Sequence, residues 1–167
     1  MKRIRIQKPR TLRRRNRVLL GLAVVVLGLA GIVAYVRYVS VVRYTAQDGR
    51  VTGSTGTVSG LGTVLVTNKG DALYVFPPDR ASRVSCADGW PPLVVPAGDS
   101  VAAGDGVRAD LLGTMPAHGG TRVVTYHGWL LYTYLGDAGP GHAAGQGKDD
   151  DGGYWYVMRP CGQIVGG

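Results

Sequence analysis

A β-hairpin pattern occurs twice in this chain, 58 residues apart, and it constrains the fold more than any other feature. In the first copy Thr63-Val64-Leu65-Val66-Thr67 runs into the turn signal Asn68-Lys69-Gly70-Asp71, then into the alternating Ala72-Leu73-Tyr74-Val75-Phe76. In the second, Arg122-Val123-Val124-Thr125-Tyr126 leads through His127-Gly128 into Trp129-Leu130-Leu131-Tyr132-Thr133-Tyr134. β-branched and aromatic runs broken by Gly and Asn are hairpin grammar. Aligned at this offset, Val66 meets Val124, Thr67 meets Thr125, Gly70 meets Gly128, Leu73-Tyr74 meet Leu131-Tyr132, and Asp79 meets Asp137. Each copy continues through a glycine-rich loop to a tryptophan strand, at Trp90-Pro91-Pro92-Leu93-Val94-Val95 and at Trp155-Tyr156-Val157-Met158. A unit of about 50 residues buries too little surface to be stable alone. The expectation is therefore a mostly β fold: two tandem hairpin repeats, about 63–98 and 121–165, forming one antiparallel domain with pseudo-twofold symmetry. Only Ala109-Asp110-Leu111-Leu112 invites a helical turn. All 11 acidic residues are Asp, and 27 residues are Gly. Both residue types favour turns over helix interiors.

Residues 18–36, VLLGLAVVVLGLAGIVAYV, carry no charge. As a helix they would extend roughly 28 Å, close to the hydrocarbon thickness of a bilayer. Arg17 and Arg37 bracket the run, and Tyr35 and Tyr38 suit an interface. Of the 19 basic residues, nine fall within the first 17 positions, where there is no acid, leaving ten basic against eleven acidic residues in the rest. The net charge of +8 thus belongs to the tail and not to the domain. Basic flanks stay in the cytoplasm. The expected order is a basic cytoplasmic tail (1–17), a single transmembrane signal-anchor helix (18–38), a Gly/Ser/Thr-rich spacer (39–62) whose Val and Thr content leaves room for a short strand, and an extracytoplasmic domain (63–167). A cleaved signal peptide is the rival reading. Its apolar core is usually shorter, and Ile32-Val33-Ala34 makes a poor cleavage site. The membrane is the partner this implies. Nucleic acid is not, because the tail lacks interleaved aromatics and a fold around it.

Tyr74-x-Phe76-x-x-Asp79 and Tyr132-x-Tyr134-x-x-Asp137 fit one pattern, Y-x-[FWY]-x-x-D. With Trp90-Pro91-Pro92-Leu93, Leu111-Leu112-Gly113-Thr114, Gly145-Gln146-Gly147 and Gly153-Tyr154-Trp155-Tyr156-Val157, the chain resembles a bacterial family of secreted repeats of unknown function, often called predicted lipoproteins. The resemblance runs from about Val64 to Gly162. It implies a bacterial cell-envelope protein and no particular activity. Two departures stand out. Many members carry an N-terminal lipid-modified cysteine, whereas here no cysteine precedes Cys86, so the helix is expected to serve as the anchor. Many also carry a cysteine pair before the WPP element, of which only Cys86 is present. Cys86 and Cys161 are the only cysteines, and in an oxidising compartment they read first as a disulfide.

The remaining candidates divide between structural and chemical readings. Asp79 and Asp137 read as turn caps after their aromatic strands. The sharper alternative pairs them as two carboxylates of one site, able to bind a cation or do acid–base work. Tyr74, Phe76, Tyr132, Tyr134, Trp90, Trp129 and Trp155 read as core. Their alternative is an exposed aromatic face for a glycan, quinone or haem. Asp149-Asp150-Asp151 reads as a solvated loop tip and otherwise as a weak Ca²⁺ site, without EF-hand spacing. His118, His127 and His142 have no metal-ligand spacing. There is no G-x-S-x-G elbow and no P-loop. The sequence thus names no catalytic residue and leaves the cofactor unknown. It favours a non-enzymatic binding or interaction module whose envelope-protein or small-molecule partner is unidentified. A redox, metal or small-cofactor protein is the alternative, and an envelope hydrolase comes third.

Overall fold

The computed structural model describes residues 50–79, 84 and 88–166. The basic tail, the apolar run read as an anchor, the first part of the spacer and Cys86 lie outside the described residues. Among the described residues no helix is long and apolar enough to cross a membrane.

Strands that alternate strictly have one wet face, but the two hairpins here are apolar at nearly every position. The structure gives the reason, since each hairpin is buried on both faces. In β2 (Gly62–Thr67), Val64 and Val66 face one core and Leu65 the other. In the following segment Ala72, Tyr74 and Phe76 join the first core, while Leu73 and Val75 join the second. The second hairpin repeats this. Val123, Leu130 and Tyr132 enter the first core, and Val124, Tyr126 and Leu131 the second. The first core holds the rings of Tyr74, Phe76, Trp90, Tyr132 and Trp155, and the second is largely aliphatic, with Leu93, Val95 and Met158.

Each repeat begins with a strand that pairs antiparallel with its hairpin. In the first, β1 (Arg50–Val58) pairs with β2, Thr55 opposite Leu65. β2 leads to β3 (Tyr74–Val75) and a 3-10 turn at Pro77–Asp79. Then come β4 (Val94–Val95) and β5 (Ser100–Ala103), the latter parallel to β1. In the second repeat β6 (Leu112–Pro116) pairs with β7 (Arg122–Tyr126), Thr114 opposite Val124. β8 (Trp129–Leu130) follows a two-residue turn whose His127 and Gly128 both have positive φ, 50° and 77°, the geometry that matches strand twist. Last come β9 (Asp149–Asp150), β10 (Gly153–Tyr154) and β11 (Tyr156–Val157). A 3-10 turn forms at Ala109–Leu111, where the sequence invites one.

Two expectations need correction. The folded region already includes Arg50, so residues 50–62 are not spacer; Gly53 and Gly56 disguise a nine-residue strand. Gly56 is required by packing, because a Cβ there would lie 2.9 Å from Val66 Cγ1. The strands form several small sheets and include the parallel β1–β5 pair, within a domain that is mostly antiparallel, as expected. The repeat alignment also slips by one residue before the turn. Leu73 N donates to Leu65 O, and Leu131 N to Val124 O. Leu65, not Val66, is therefore the counterpart of Val124. The 58-residue offset would put counterparts on opposite faces, since a one-residue slip flips every side chain.

The tryptophan strands do not complete their own hairpins. Leu93, from the first repeat, donates its N–H to Leu131 O and accepts from Val124 N in the second. Met158, from the second, donates to Leu73 O and accepts from Leu65 N in the first. β4 pairs with β7, and β11 with β3. Each hairpin thus receives its third strand from the other repeat. Near the pseudo-twofold axis Tyr74 and Tyr132 exchange both backbone hydrogen bonds, at 2.8 and 2.9 Å.

Candidate functional site

The Y-x-[FWY]-x-x-D motif works in trans between the repeats. β3 starts at Tyr74, and the chain turns at Pro77–Asp79, with Asp79 N donating to Phe76 O. That turn aims the Asp79 carboxylate at Tyr132 of the second repeat, whose hydroxyl donates to Asp79 Oδ2 in a short bond. In the other direction, Tyr74 donates its hydroxyl to both oxygens of Asp137, at 2.9 and 3.1 Å. Each repeat supplies a phenol to the other repeat's carboxylate. Asp79 and Asp137 are each engaged by a tyrosine on the opposite side of the axis.

The aromatic rings follow the same symmetry. Phe76, Trp155, Trp90 and Tyr134 stack in one column, with neighbouring centroids 4.4, 4.0 and 4.1 Å apart. The two indoles at its centre lie within 5° of parallel. Tyr74 meets Trp90 edge-on, and Tyr132 meets Trp155 edge-on, each at 5.2 Å. Offset stacks and edge contacts suit the ring quadrupole. The column alternates between repeats, and Trp90 and Trp155 have no exposed surface. These rings are core and do not form an exposed face.

The second repeat's loop seals this core. A Cβ on Gly145 would lie 2.5 Å from Trp90 Cη2 and 3.0 Å from Tyr74 Cε1, so only glycine fits. Gly145 N donates to the Tyr74 hydroxyl, and Ala144 N donates to Asp137 Oδ1. Gln146 bridges two segments: Oε1 accepts from Val157 N, and Nε2 donates to Val165 O. The Gly145-Gln146-Gly147 element is visible in the sequence, but its clamp role is not. Burial raises the Asp137 carboxyl above its ordinary value, and the bonds from Tyr74 and Ala144 oppose that shift. Burial, followed by the Asp137 charge, pushes the Tyr74 phenol upward.

Asp149 and Asp151 are exposed, as a solvated tip requires, and Asp150 is partly buried. Asp150 pairs with Gly153 across a two-residue turn whose Asp151 and Gly152 have φ of 53° and 78°. Asp-Gly is a favoured pair for such a turn. Asp150 Oδ2 accepts from Trp90 Nε1 at 3.2 Å and faces Lys148 Nζ at 3.5 Å. The indole bond, with help from Lys148, holds its carboxyl below the ordinary value. Among the described residues no group of three His, Cys, Asp or Glu side chains could hold a metal ion. Cys161 is exposed, with Sγ 3.7 Å from Gln163 Oε1. Its expected partner Cys86 lies outside the described residues. Of the seven aromatics singled out in the sequence, Trp129 stands apart from the column, only partly buried against the second core. It lines an open cleft of about 360 Å³ with His127, Gly162, Gln163 and Ile164. A second cleft, of about 350 Å³, lies between Val58 and Leu61 on one side and the loop holding His142 and Gln146 on the other.

The fold and its centre define a pseudo-symmetric pair of strand-exchanging β repeats, joined by reciprocal tyrosine–aspartate bonds. Residues 113–159, from β6 through the second motif to Arg159, match a family described as a secreted repeat of unknown function. No curated protein and no solved structure matches the chain. The resemblance to that family is thereby shown over residues 113–159.

Proposed function

We propose that the chain is a membrane-anchored, extracytoplasmic envelope module that binds or tethers a partner and does not turn over a substrate. One observation supports this reading. The phenols, carboxylates and indoles that might have formed a reacting set are consumed in joining the two repeats, and Asp79, Tyr132, Trp90 and Trp155 are buried. Among the described residues no buried side-chain polar atom lacks a hydrogen-bond partner, which suits a structural centre. Anchoring rests on the uncharged run at 18–36 and the basic tail before it. The Cys86–Cys161 bond belongs to the same reading, because an oxidising compartment would form it.

A periplasmic-type reporter fused after Gly167 is expected to be active, and a cytoplasmic-type reporter at the same point silent. The reverse pattern overturns the orientation. Full-length chain in detergent is expected to co-sediment saturably with isolated cell envelopes. A wild-type chain that never sediments, or that shows turnover surviving rigorous purification, overturns the binding reading.

A further inference from the structure

Asp150 holds both indoles of the aromatic column by their N–H groups. Its side-chain Oδ2 accepts from Trp90 Nε1 at 3.2 Å, and its main-chain oxygen accepts from Trp155 Nε1 at 3.3 Å. The two acceptors differ in kind. An indole N–H only donates, and a carboxylate can take its proton, whereas a carbonyl is too weak a base. The paired rings lie 4.0 Å apart and 5° from parallel, close enough for their π systems to share one positive charge. A carboxylate against one ring favours that charge, because an opposite charge nearby stabilises an ionised state. Lys148 Nζ, 3.5 Å from the same oxygen, opposes it, but both side chains are 38% exposed and water screens the pair. Both indoles are sealed from solvent, whereas Tyr134, stacked on Trp90 at 4.1 Å, is only partly buried. The column therefore has a surface end at Tyr134, a pair of oxidisable rings inside, and a base on that pair.

We propose that the Trp90–Trp155 pair is a one-electron relay, which gives an electron through Tyr134 to an outer-sphere oxidant at the domain surface. The oxidant, an oxidised metal complex, is reduced by one electron. Trp90 loses that electron, and its Nε1 proton passes to Asp150 Oδ2. A neutral indolyl radical is left beside a carboxylic acid, which releases the proton to water at its exposed edge. Donor and acceptor already stand at the distance that proton transfer needs. A small reductant such as ascorbate then returns one electron, a proton returns to Nε1, and the resting column is restored. Tyr74 is the competing donor, because it meets Trp90 edge-on at 5.2 Å and its phenol is bonded to Asp137. The relay goes beyond binding or tethering and does not depend on that reading.

The test uses the full chain in detergent. A flash–quench reaction generates tris(bipyridyl)ruthenium(III) in solution, and transient absorption with electron paramagnetic resonance follows the radical that forms. A neutral indolyl radical is expected, and ascorbate should remove it and return a chain of unchanged mass. Asp150→Asn keeps an oxygen that accepts from Trp90 Nε1 but removes the base. The neutral radical should be lost there and replaced by the protonated radical cation. Trp90→Phe keeps a ring in the stack and removes the N–H, so the neutral radical should be lost there too. Near-ultraviolet circular dichroism reports that each variant is folded. Asp150→Asn removes no packing atom, so it decides the matter if Trp90→Phe unfolds. No radical in the wild-type chain, or a tyrosyl radical as the sole product, overturns the proposal. So does a wild-type yield of neutral indolyl radical in a folded Asp150→Asn or Trp90→Phe chain, which would place the radical on another indole.

Discussion

Replacing Tyr132 with Phe removes one oxygen from the centre of the molecule and leaves the ring in place. Tyr132 is fully buried, and its acceptor Asp79 is 4% exposed. The loss is that of a charge-assisted bond in a site that water reaches poorly, about 2–3 kcal/mol. Tyr74→Phe removes the equivalent bond on the other side of the axis, where Asp137 is only half-buried and keeps the Ala144 N–H, and it also takes away the acceptor of the buried Gly145 N–H. Water can replace part of the carboxylate bond, but the unsatisfied amide adds to the loss, so the cost should again be about 2–3 kcal/mol. A domain of this size shifts its melting temperature by about 4 °C per kcal/mol. Both variants should therefore melt about 8–12 °C lower than wild type. The assay is urea and thermal unfolding of residues 41–167, read from the near-ultraviolet signal of the stacked indoles. A double-mutant cycle with Asp79→Asn then isolates the pairwise coupling. A cost below about 0.5 kcal/mol for either variant, within the range of ordinary surface changes, would refute the reasoning.

Gly145→Ala should destabilise by about 1–3 kcal/mol, because its methyl group meets the rigid Trp90 ring at 2.5 Å. Gly53→Ala, with nothing within 4 Å, is the near-neutral control in the same unfolding assay. The raised Asp137 carboxyl makes its ionised form less favourable folded than unfolded. Its contribution is therefore best below the unfolded carboxyl pKa and is lost as pH rises through the higher folded value. Asp137→Asn should flatten that part of the stability profile, which begins in the ordinary carboxylate range and runs upward from it. A profile with the same slope in the variant would show that other groups set it. Fragments 41–105 and 106–167 should each be unfolded alone and regain the stacked-indole signal on mixing; a signal from either one alone contradicts the strand exchange. Mass spectrometry of chain purified from an oxidising compartment should find a mass two hydrogens below the reduced form, and two alkylatable thiols would exclude the Cys86–Cys161 bond.

The hairpins were legible because β-branched and aromatic runs flank Asn, Lys, His and Gly turns, and local sequence largely decides such segments. β1 was not, because Gly53, Ser54 and Gly56 lower its β-propensity and imitate a linker. Its glycine at 56 answers to Val66, a neighbour that only the fold supplies. The one-residue slip between repeats was hidden by chance identities at Val66 and Val124. What exposes it is which face each side chain occupies. The Asp151-Gly152 turn did carry a signal, since Asp-Gly is a strong hairpin pair, but three consecutive aspartates drew attention to charge instead. The exchange of tryptophan strands could not be read from spacing. A strand that follows a hairpin through a long loop has the same sequence whichever hairpin it joins. For the same reason the two motif aspartates could be seen as equivalent, but not as partners of each other's tyrosines.

The strand exchange also bears on how such a chain can change over generations. A single repeat of this build closes its sheet only by borrowing a strand from a second copy, so standing alone it depends on its own concentration. Two copies in one polypeptide make that encounter intramolecular, and the fold no longer depends on how much protein is present. The halves are then free to diverge wherever they do not touch, as Asp71 and Trp129 have at one aligned position. At the axis they are not free, because a change to the tyrosine of one half must be tolerated by the aspartate of the other.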